Sequence, residues 1–138
     1  MPGLVIRYSY LWQCDYRSGK EEGVKDRPCA IILVTKENNG DDVVTVLPVT
    51  HTPPSNPALA LEIPALTKKR LGLDSERSWA VLTEANQFVW PGPDLRPVSN
   101  DPGAIAYGLL PEMFFNQLRA KFIAILRTGH ASLARRTE

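Results

Sequence analysis

Proline is the residue that most restricts how this chain can fold. The sequence holds 12 prolines in 138 residues, and they are concentrated between Pro48 and Pro111. Each proline fixes its own backbone angle and disfavours a helical conformation in the residue before it, so long helices have little room in this part of the chain. The middle of the chain is therefore predicted to consist of short strands and shaped loops.

A β-hairpin is predicted within residues 19–52. An apolar run from Cys29 to Val34 is followed by the turn residues Asn39 and Gly40 and by a second apolar run from Val43 to Val49. Strand-forming runs separated by an Asn-Gly turn are typical of two adjacent antiparallel strands. The polar residues 15–26, with two glycines, are expected to form a mobile loop before the first strand.

One convincing helix is predicted, over about residues 111–127. Pro111 suits the first helical position, and an apolar stripe follows at helical spacing; its residues are Leu110, Phe114, Leu118, Phe122 and Ile125. Residues 129–138 have little to bury and are expected to fray. Many short strands followed by one helix predict a single mainly β (α+β) domain over residues 1–138. We expect a small SH3-like antiparallel β-barrel of five to seven strands with the helix packed at its side.

Several charged and aromatic residues are interpreted as structural. Residues 64–71 are predicted to form one or two helical turns with a basic cluster, Lys68, Lys69 and Arg70, facing outward, and such clusters are more often a solvated face than a phosphate contact. Asp94 and Arg96 are expected to form a local ion pair. Phe88 is predicted to lie in the core and Trp90 at the surface, next to a Pro-Gly-Pro turn.

Composition excludes several classes of protein. No apolar run approaches the length of a membrane span, and residues 1–13 lack the pattern of a signal peptide, so a cytoplasmic location is the default expectation. The formal net charge of +1 argues against bulk electrostatic binding of nucleic acid but allows a local basic site. Cys14 and Cys29 form no metal-ligand spacing with the two histidines, and no metal or cofactor is expected.

Three functional side chains are predicted to meet at one end of the hairpin. Arg27 opens the first strand, and Thr50 and His51 close the second, so antiparallel pairing brings them together. A guanidinium fork can grip two phosphate oxygens, a hydroxyl can donate to the same phosphate, and an imidazole can transfer a proton near neutral pH. The trio could therefore hold and cleave a phosphodiester. The alternatives are an exposed arginine at a strand edge, a threonine that caps the following loop and a loop histidine.

The same stretch resembles a known family. Its Gly-x-Glu loop (Gly19, Glu21), its Arg27-Pro28 at the start of a hydrophobic strand and its Pro48-Val49-Thr50 at the end of the next are similar to the signature of the MazF/PemK/Kid family of bacterial toxin-antitoxin ribonucleases. The resemblance implies an SH3-like barrel and metal-independent, sequence-selective cleavage of single-stranded RNA through attack of the ribose 2′-hydroxyl. It also assigns catalysis to Arg27 and Thr50, with His51 as a further candidate.

Partners are also implied by the resemblance. Family members form homodimers and are neutralised by a small antitoxin protein laid over the site. Trp12, Trp79 and the apolar stripe of the helix offer more apolar surface than a small chain easily hides, which favours the homodimer. No membrane partner is expected.

The third strand of the predicted barrel departs from the family pattern. Glu84 can stand for a first acidic residue, but Gln87 and Trp90 occupy the places of an arginine and an aspartate. The candidate RNA contacts outside the trio are Gly19, Glu21, Lys25, Glu84, Gln87 and Trp90. Two functions remain open: an endoribonuclease toxin, favoured by Arg27 and Thr50, and a non-catalytic barrel that binds a protein, a peptide or RNA, favoured by the changes on the third strand.

Overall fold

The computed structural model describes residues 1–14, 26–99, 101 and 103–136. Within these residues, nine strands form one sheet. They are β1 (Leu4–Tyr8), β2 (Arg27–Lys36), β3 (Asp42–Thr50), β4 (Ala60–Glu62), β5 (Trp79–Val81), β6 (Glu84–Val89), β7 (Leu95–Arg96), β8 (Ala106–Leu109) and β9 (Ser132–Arg135). A 3-10 turn (Pro57–Leu59) and two α-helices, α1 (Ala65–Leu71) and α2 (Glu112–Arg127), complete the described elements.

The predicted mainly β, barrel-like α+β fold with one C-terminal helix at its side is confirmed. Strands β4, β5 and β7 are only two or three residues long, and they fall in the proline-rich half, as proline spacing requires. These short strands raise the number above the five to seven expected. Neither helix of the described residues is long and apolar enough to span a membrane.

Strand β3 organises the sheet. It pairs antiparallel with β2 along its length, with β6 through its first half and with β5 at its end. On the far side of β2, β1 pairs with β2, β7 and β8. The β2–β3 turn lies at Asn39 and Gly40 as predicted, and Gly40 has φ +89°, a conformation that side-chain-bearing residues rarely adopt.

The core consists of two clusters on opposite faces of β2. Alternate residues Ala30 and Ile32 face α2, where Leu118 and Phe122 are fully buried, so the predicted apolar stripe of the helix is confirmed. On the other face of β2, Cys29 and Ile31 pack with Tyr8 of β1 and Phe88 of β6. The Tyr8 and Phe88 rings stack with centroids 4.7 Å apart, so Phe88 lies in the core as predicted.

The prediction of a frayed segment after residue 129 is wrong for the part that the structure describes. Ser132–Arg135 form β9, which pairs parallel with β6, and the next residue, Arg136, is buried. The Arg136 guanidinium donates to the carbonyl of Ser9 at 2.7 Å and pairs with Asp94 at 3.1 Å. The sequence around Arg136 gives no local sign of such long-range partners, so it does not predict that this segment is ordered.

Two further predictions about charged residues are wrong for the same reason. Asp94 pairs with Arg136 rather than with Arg96, whose Nε lies 3.5 Å from the Asp26 carboxylate. Lys68 does not face outward with its neighbours in the basic cluster: its residue exposure is only 3%. In α1, Lys68 lies one turn from Leu71 on the buried side of the helix, while Lys69 and Arg70 are exposed.

The tryptophans contribute less free surface than expected. Trp79 is 7% exposed, so it belongs to the core and offers no dimer surface. Trp90 is partly buried and packs against Phe88, with ring centroids 6.2 Å apart. Trp12 is also partly buried, at the start of the pocket region described next.

Candidate functional site

The end of the β2–β3 pair brings Arg27 and Thr50 together. The ladder pairs Cys29 with Pro48, and Arg27 and Thr50 are each two residues further towards the same end of the pair. Because side chains two apart share a face of a strand, both lie on the same face of the sheet. Arg27, Thr50 and His51 all line one pocket of about 350 Å³, so the structure brings the three residues to one place, although adjacent strand positions such as 50 and 51 point to opposite faces.

The Arg27 guanidinium is held in place at this pocket. Its Nη1 donates to the carbonyl of Val49 at 3.4 Å, and its carbon lies over the ring of Trp12, 4.7 Å from the centroid. Burial lowers the pKa of Arg27, opposed in part by the charge of Glu84. Its Nε is buried and has no hydrogen-bond partner among the described residues. Among the described residues the fork donates a single bond, to Val49, so its outer N–H groups remain for an anionic oxygen.

Charge is distributed unevenly around Arg27. Lys68 pairs with Asp74, and Asp26 lies 3.5 Å from two arginines, Arg7 on β1 and Arg96 on β7. No ion pair among the described residues uses Arg27. The pocket therefore contains one positive charge that no described carboxylate neutralises by direct contact.

Thr50 has two contacts that matter for chemistry. Its Oγ1 accepts a hydrogen bond from the backbone N–H of Thr52 at 3.2 Å, the local cap that was the alternative interpretation of this residue. Accepting that bond leaves the hydroxyl hydrogen free to donate elsewhere. Capping and donation into the pocket are thus compatible.

His51 belongs to a cluster that the sequence did not indicate. Its Nε2 lies 2.8 Å from Asp74 Oδ2 and its Nδ1 lies 3.4 Å from Glu76 Oε2. Asp74 and Lys68 line the same pocket as Arg27. Lys68 lies in α1 and Asp74 in the segment that follows it; the only sequence signal here is the basic cluster at 68–70, which by itself favours a solvated face.

A second, uncharged pocket adjoins the first. It has a volume of about 500 Å³ and shares Thr50 and Thr52 with the pocket of Arg27. Its described walls carry aromatic, proline, aliphatic and hydroxyl or amide groups and no ionisable side chain; they include Trp12, Pro53, Pro54 and Leu59. Trp12 therefore supports Arg27 and forms part of the neutral pocket.

The candidate contacts on β6, Glu84 and Gln87, and Trp90 just after it, line neither pocket. Glu84 Oε1 accepts hydrogen bonds from the Tyr10 hydroxyl at 3.1 Å and from the Gln13 backbone at 2.9 Å. Burial, followed by the charge of Glu84, raises the pKa of Tyr10. Gln87 donates to the Thr45 hydroxyl at 3.1 Å, and Trp90 packs on Phe88. The remaining candidates, Gly19, Glu21 and Lys25, lie outside the described residues.

The His51 cluster is also the one place among the described residues where three metal-ligating side chains converge. Ligand atoms of His51, Asp74 and Glu76 lie within 4.8 Å of one another. The Lys68 ammonium already contacts Asp74 Oδ1 at 2.6 Å, and its positive charge opposes a divalent cation at the same carboxylate. We therefore describe the cluster as a hydrogen-bonded unit and assign no metal to it.

Comparisons with known proteins add no identity. No protein-family model matches the chain, and neither the curated proteins nor the solved structures include a match. The resemblance to the MazF/PemK/Kid family thus stays a prediction that depends on the motifs around Arg27 and Thr50.

Proposed function

We propose that this protein is a metal-independent, sequence-selective endoribonuclease toxin of the MazF/PemK/Kid type, which inhibits growth by cutting single-stranded RNA. One observation carries the proposal: a guanidinium fixed by Trp12, and used by no ion pair of the described residues, shares a pocket with a free hydroxyl donor and an imidazole. RNA cleavage without a metal needs such a set: a cation for the phosphate, a neutral donor and a proton carrier.

Each side chain has a defined role in this proposal. Arg27 binds two non-bridging oxygens of the scissile phosphate and stabilises the charge that builds on them as the ribose 2′-oxygen attacks. Thr50 donates to one of the same oxygens. His51 takes the proton of the 2′-hydroxyl. The 2′-oxygen to phosphorus bond forms, the bond from phosphorus to the 5′-oxygen breaks, and the leaving oxygen takes a proton from water.

The adjoining neutral pocket supports a nucleic-acid substrate. A nucleotide combines an anionic phosphate with a flat, uncharged base. The pocket of Arg27 is charged, the second pocket is neutral, and the two share Thr50 and Thr52, so one nucleotide matches the pair. Unpaired bases stack on aromatic side chains regardless of sequence, and Trp12 offers an aromatic wall beside Arg27. A base flanking the cleaved phosphate therefore fits this pocket in single-stranded RNA.

Partners and location are part of the same proposal. A small antitoxin would cover the two pockets, and the protein would act in the cytoplasm. Trp79 and the α2 residues Leu118 and Phe122 are too buried to form a homodimer contact, but Leu66, Leu109 and Met113 are 65–87% exposed and support one.

A non-catalytic binding barrel is the second candidate. It is favoured by β6, where Glu84 and Gln87 make hydrogen bonds within the fold and supply no acid or base to the pocket. In this alternative Arg27 would bind an anionic group of a protein, peptide or RNA partner without cleaving it.

Cleavage of single-stranded RNA by purified protein in the presence of EDTA separates the two candidates. Wild type should cut, and Arg27→Ala should slow cleavage by about a hundredfold or more, as expected for the loss of one preorganised donor. Arg27→Lys should be nearly as slow, because an ammonium lacks the planar fork. Arg77→Ala is the matched control, since Arg77 also lies over a tryptophan, Trp79, but outside the pocket. RNA that stays intact in the presence of the wild-type protein would favour the binding barrel.

A further inference from the structure

Lys68 is a buried cation whose hydrogen bonds are all directed at one segment. Its ammonium donates to Asp74 Oδ1 and to Ser78 Oγ, both at 2.6 Å, and to the backbone carbonyl of Glu76. Three acceptors match the three hydrogens of an ammonium, which makes burial of the charge tolerable. Lys68 therefore ties the segment 74–78 to α1.

Asp74 links Lys68 to His51, because each of its two carboxylate oxygens contacts one of them. One carboxylate oxygen, Oδ1, accepts from Lys68 and from the backbone N–H of Glu76 at 3.1 Å, so the carboxylate cannot turn freely. The hydrogen bond from Lys68 holds the pKa of Asp74 below its usual range, and the group is ionised and accepts only. The other oxygen, Oδ2, faces His51 Nε2 at 2.8 Å, so this nitrogen must carry the hydrogen.

The second nitrogen of His51 has a weaker partner. Nδ1 lies 3.4 Å from Glu76 Oε2, longer than an ordinary hydrogen bond to nitrogen, and the Glu76 side chain is 72% exposed. A carboxylate there is an anion held at the nitrogen that Asp74 leaves unused. The 2′-hydroxyl of a substrate donates to an unprotonated Nδ1, which a carboxylate does not, and would take the same place, while the contact to Asp74 is shorter and is restrained by Lys68.

We infer that Lys68 and Asp74 are positioning residues that fix His51 with its hydrogen on Nε2 and leave Nδ1 for proton transfer, and that the substrate displaces Glu76 from Nδ1. The inference deepens the proposed ribonuclease function and rests on it for the identity of the substrate. In the cleavage step Nδ1 receives the 2′-hydroxyl proton, and the imidazolium returns that proton to the hydroxide left when water protonates the 5′-oxygen.

Nitrogen-detected NMR of the histidine rings tests the positioning without any substrate. The chain has only two histidines, His51 and His130, so assignment by His51→Gln is direct. In mildly alkaline buffer, wild type should show His51 with its hydrogen on Nε2. Asp74→Asn should abolish that preference, and Lys68→Met should weaken it. His130, which contacts Thr128 at 3.0 Å, should not change. Wild-type His51 with hydrogen on Nδ1, or an Asp74→Asn spectrum identical to wild type, would overturn the inference.

Steady-state cleavage of RNA provides the second readout. Asp74→Asn and Lys68→Met should lower kcat by about tenfold with KM within about twofold, because they disturb proton transfer rather than binding. Glu76→Gln should lower KM by about two- to threefold, since it removes the competing anion. Glu62→Gln, an exposed carboxylate paired with Arg77, is the matched control and should change neither constant. A rise in KM at unchanged kcat for Asp74→Asn would contradict a positioning role.

The two experiments fail in different ways. If wild type leaves RNA intact but His51 carries its hydrogen on Nε2 and loses that preference in Asp74→Asn, the proposed ribonuclease function fails and the Lys68–Asp74–His51 unit stands. If RNA is cut but Asp74→Asn has the same ring spectra and the same kcat as wild type, the ribonuclease function stands and the positioning inference fails.

Discussion

The Arg27 guanidinium lies over the indole ring of Trp12, with 4.7 Å between its carbon and the ring centroid. A cation over an indole face is attracted by the ring, and the contact restricts where the fork can point. Trp12 therefore helps to orient the Arg27 guanidinium at the pocket that Arg27 shares with Thr50 and His51.

Replacing Trp12 by leucine should reduce kcat for RNA cleavage by about 3- to 30-fold. The lost attraction between cation and ring corresponds to about 0.5–2 kcal/mol, and the remaining fork is less well ordered. Trp90→Leu is the control, because Trp90 packs on Phe88 and lines neither pocket. Equal losses in the two variants would mean that stability, rather than placement of Arg27, causes the effect.

At Thr50, the hydroxyl group should matter more than the side-chain shape. Thr50→Ser keeps the donor and the bond from Thr52, so kcat should stay within about threefold of wild type. Thr50→Val keeps the shape but loses the donor and should be slower by about tenfold, a smaller loss than for Arg27→Ala because a neutral donor is weaker than a cation. Single-turnover cleavage of a labelled RNA measures both. A fully active valine variant would remove Thr50 from the mechanism.

The unfolding free energy should respond more to Asp74 than to Lys68. Asp74→Asn leaves the buried Lys68 ammonium without its counter-charge and should destabilise the fold by about 1–3 kcal/mol. Lys68→Met removes the buried charge itself, and the half-exposed Asp74 carboxylate can then be hydrated, so the cost should be smaller. Urea denaturation of both variants gives the order. The reverse order would show that packing around residue 68 dominates.

Low pH should remove the contribution of the Asp74 carboxylate to the unfolding free energy. The ordinary pKa of 3.8 is lowered in the folded protein, chiefly by the hydrogen bond from Lys68. As pH falls through this range, the unfolded chain takes up the proton before the folded one does. The stability advantage of wild type over Asp74→Asn should therefore be complete well above pH 3.8 and disappear as pH falls through the lower folded value. A difference that persists unchanged as pH falls through and below that range would contradict the assignment.

Two neighbouring arginines should differ greatly in their effect on stability. Arg136→Ala removes a buried guanidinium that pairs with Asp94 and donates to the carbonyl of Ser9, and should cost about 3–5 kcal/mol. Arg135→Ala breaks only an exposed pair with Glu37 and should cost less than about 1 kcal/mol. Thermal unfolding of the two variants makes the comparison. Similar values would show that β9 is held by its backbone ladder to β6 alone.

Local patterns predicted the parts of the fold that depend on neighbouring residues. The hairpin around Asn39 and Gly40 was predicted from turn chemistry, and the helix at 112–127 from its apolar period. The meeting of Arg27 with Thr50 followed from antiparallel pairing, which fixes which strand ends coincide. These features needed no information about distant contacts.

Buried charges were missed because their partners are remote. Lys68 looks like its neighbours in a basic run, and only the packing of α1 decides that it points inward. Arg136 meets residues near positions 9, 86 and 94, none of which is indicated by the sequence around it. Asp74 could not be connected to His51 for the same reason. Compositional reasoning assigns charged residues to the surface, so it fails where a fold satisfies a charge internally.

A row of contacts leads from β9 to the candidate site and sets a condition on synthesis of the protein. Arg136 lies 3.3 Å from Asn86 Oδ1, and the Asn86 side chain exchanges two hydrogen bonds of 2.8 Å with the backbone of Leu11, the residue before Trp12. Trp12 in turn supports Arg27. A nascent chain on the ribosome cannot complete this row until residue 136 has left the exit tunnel. The contacts that support the Arg27 guanidinium are therefore completed only after the other eight described strands have been made.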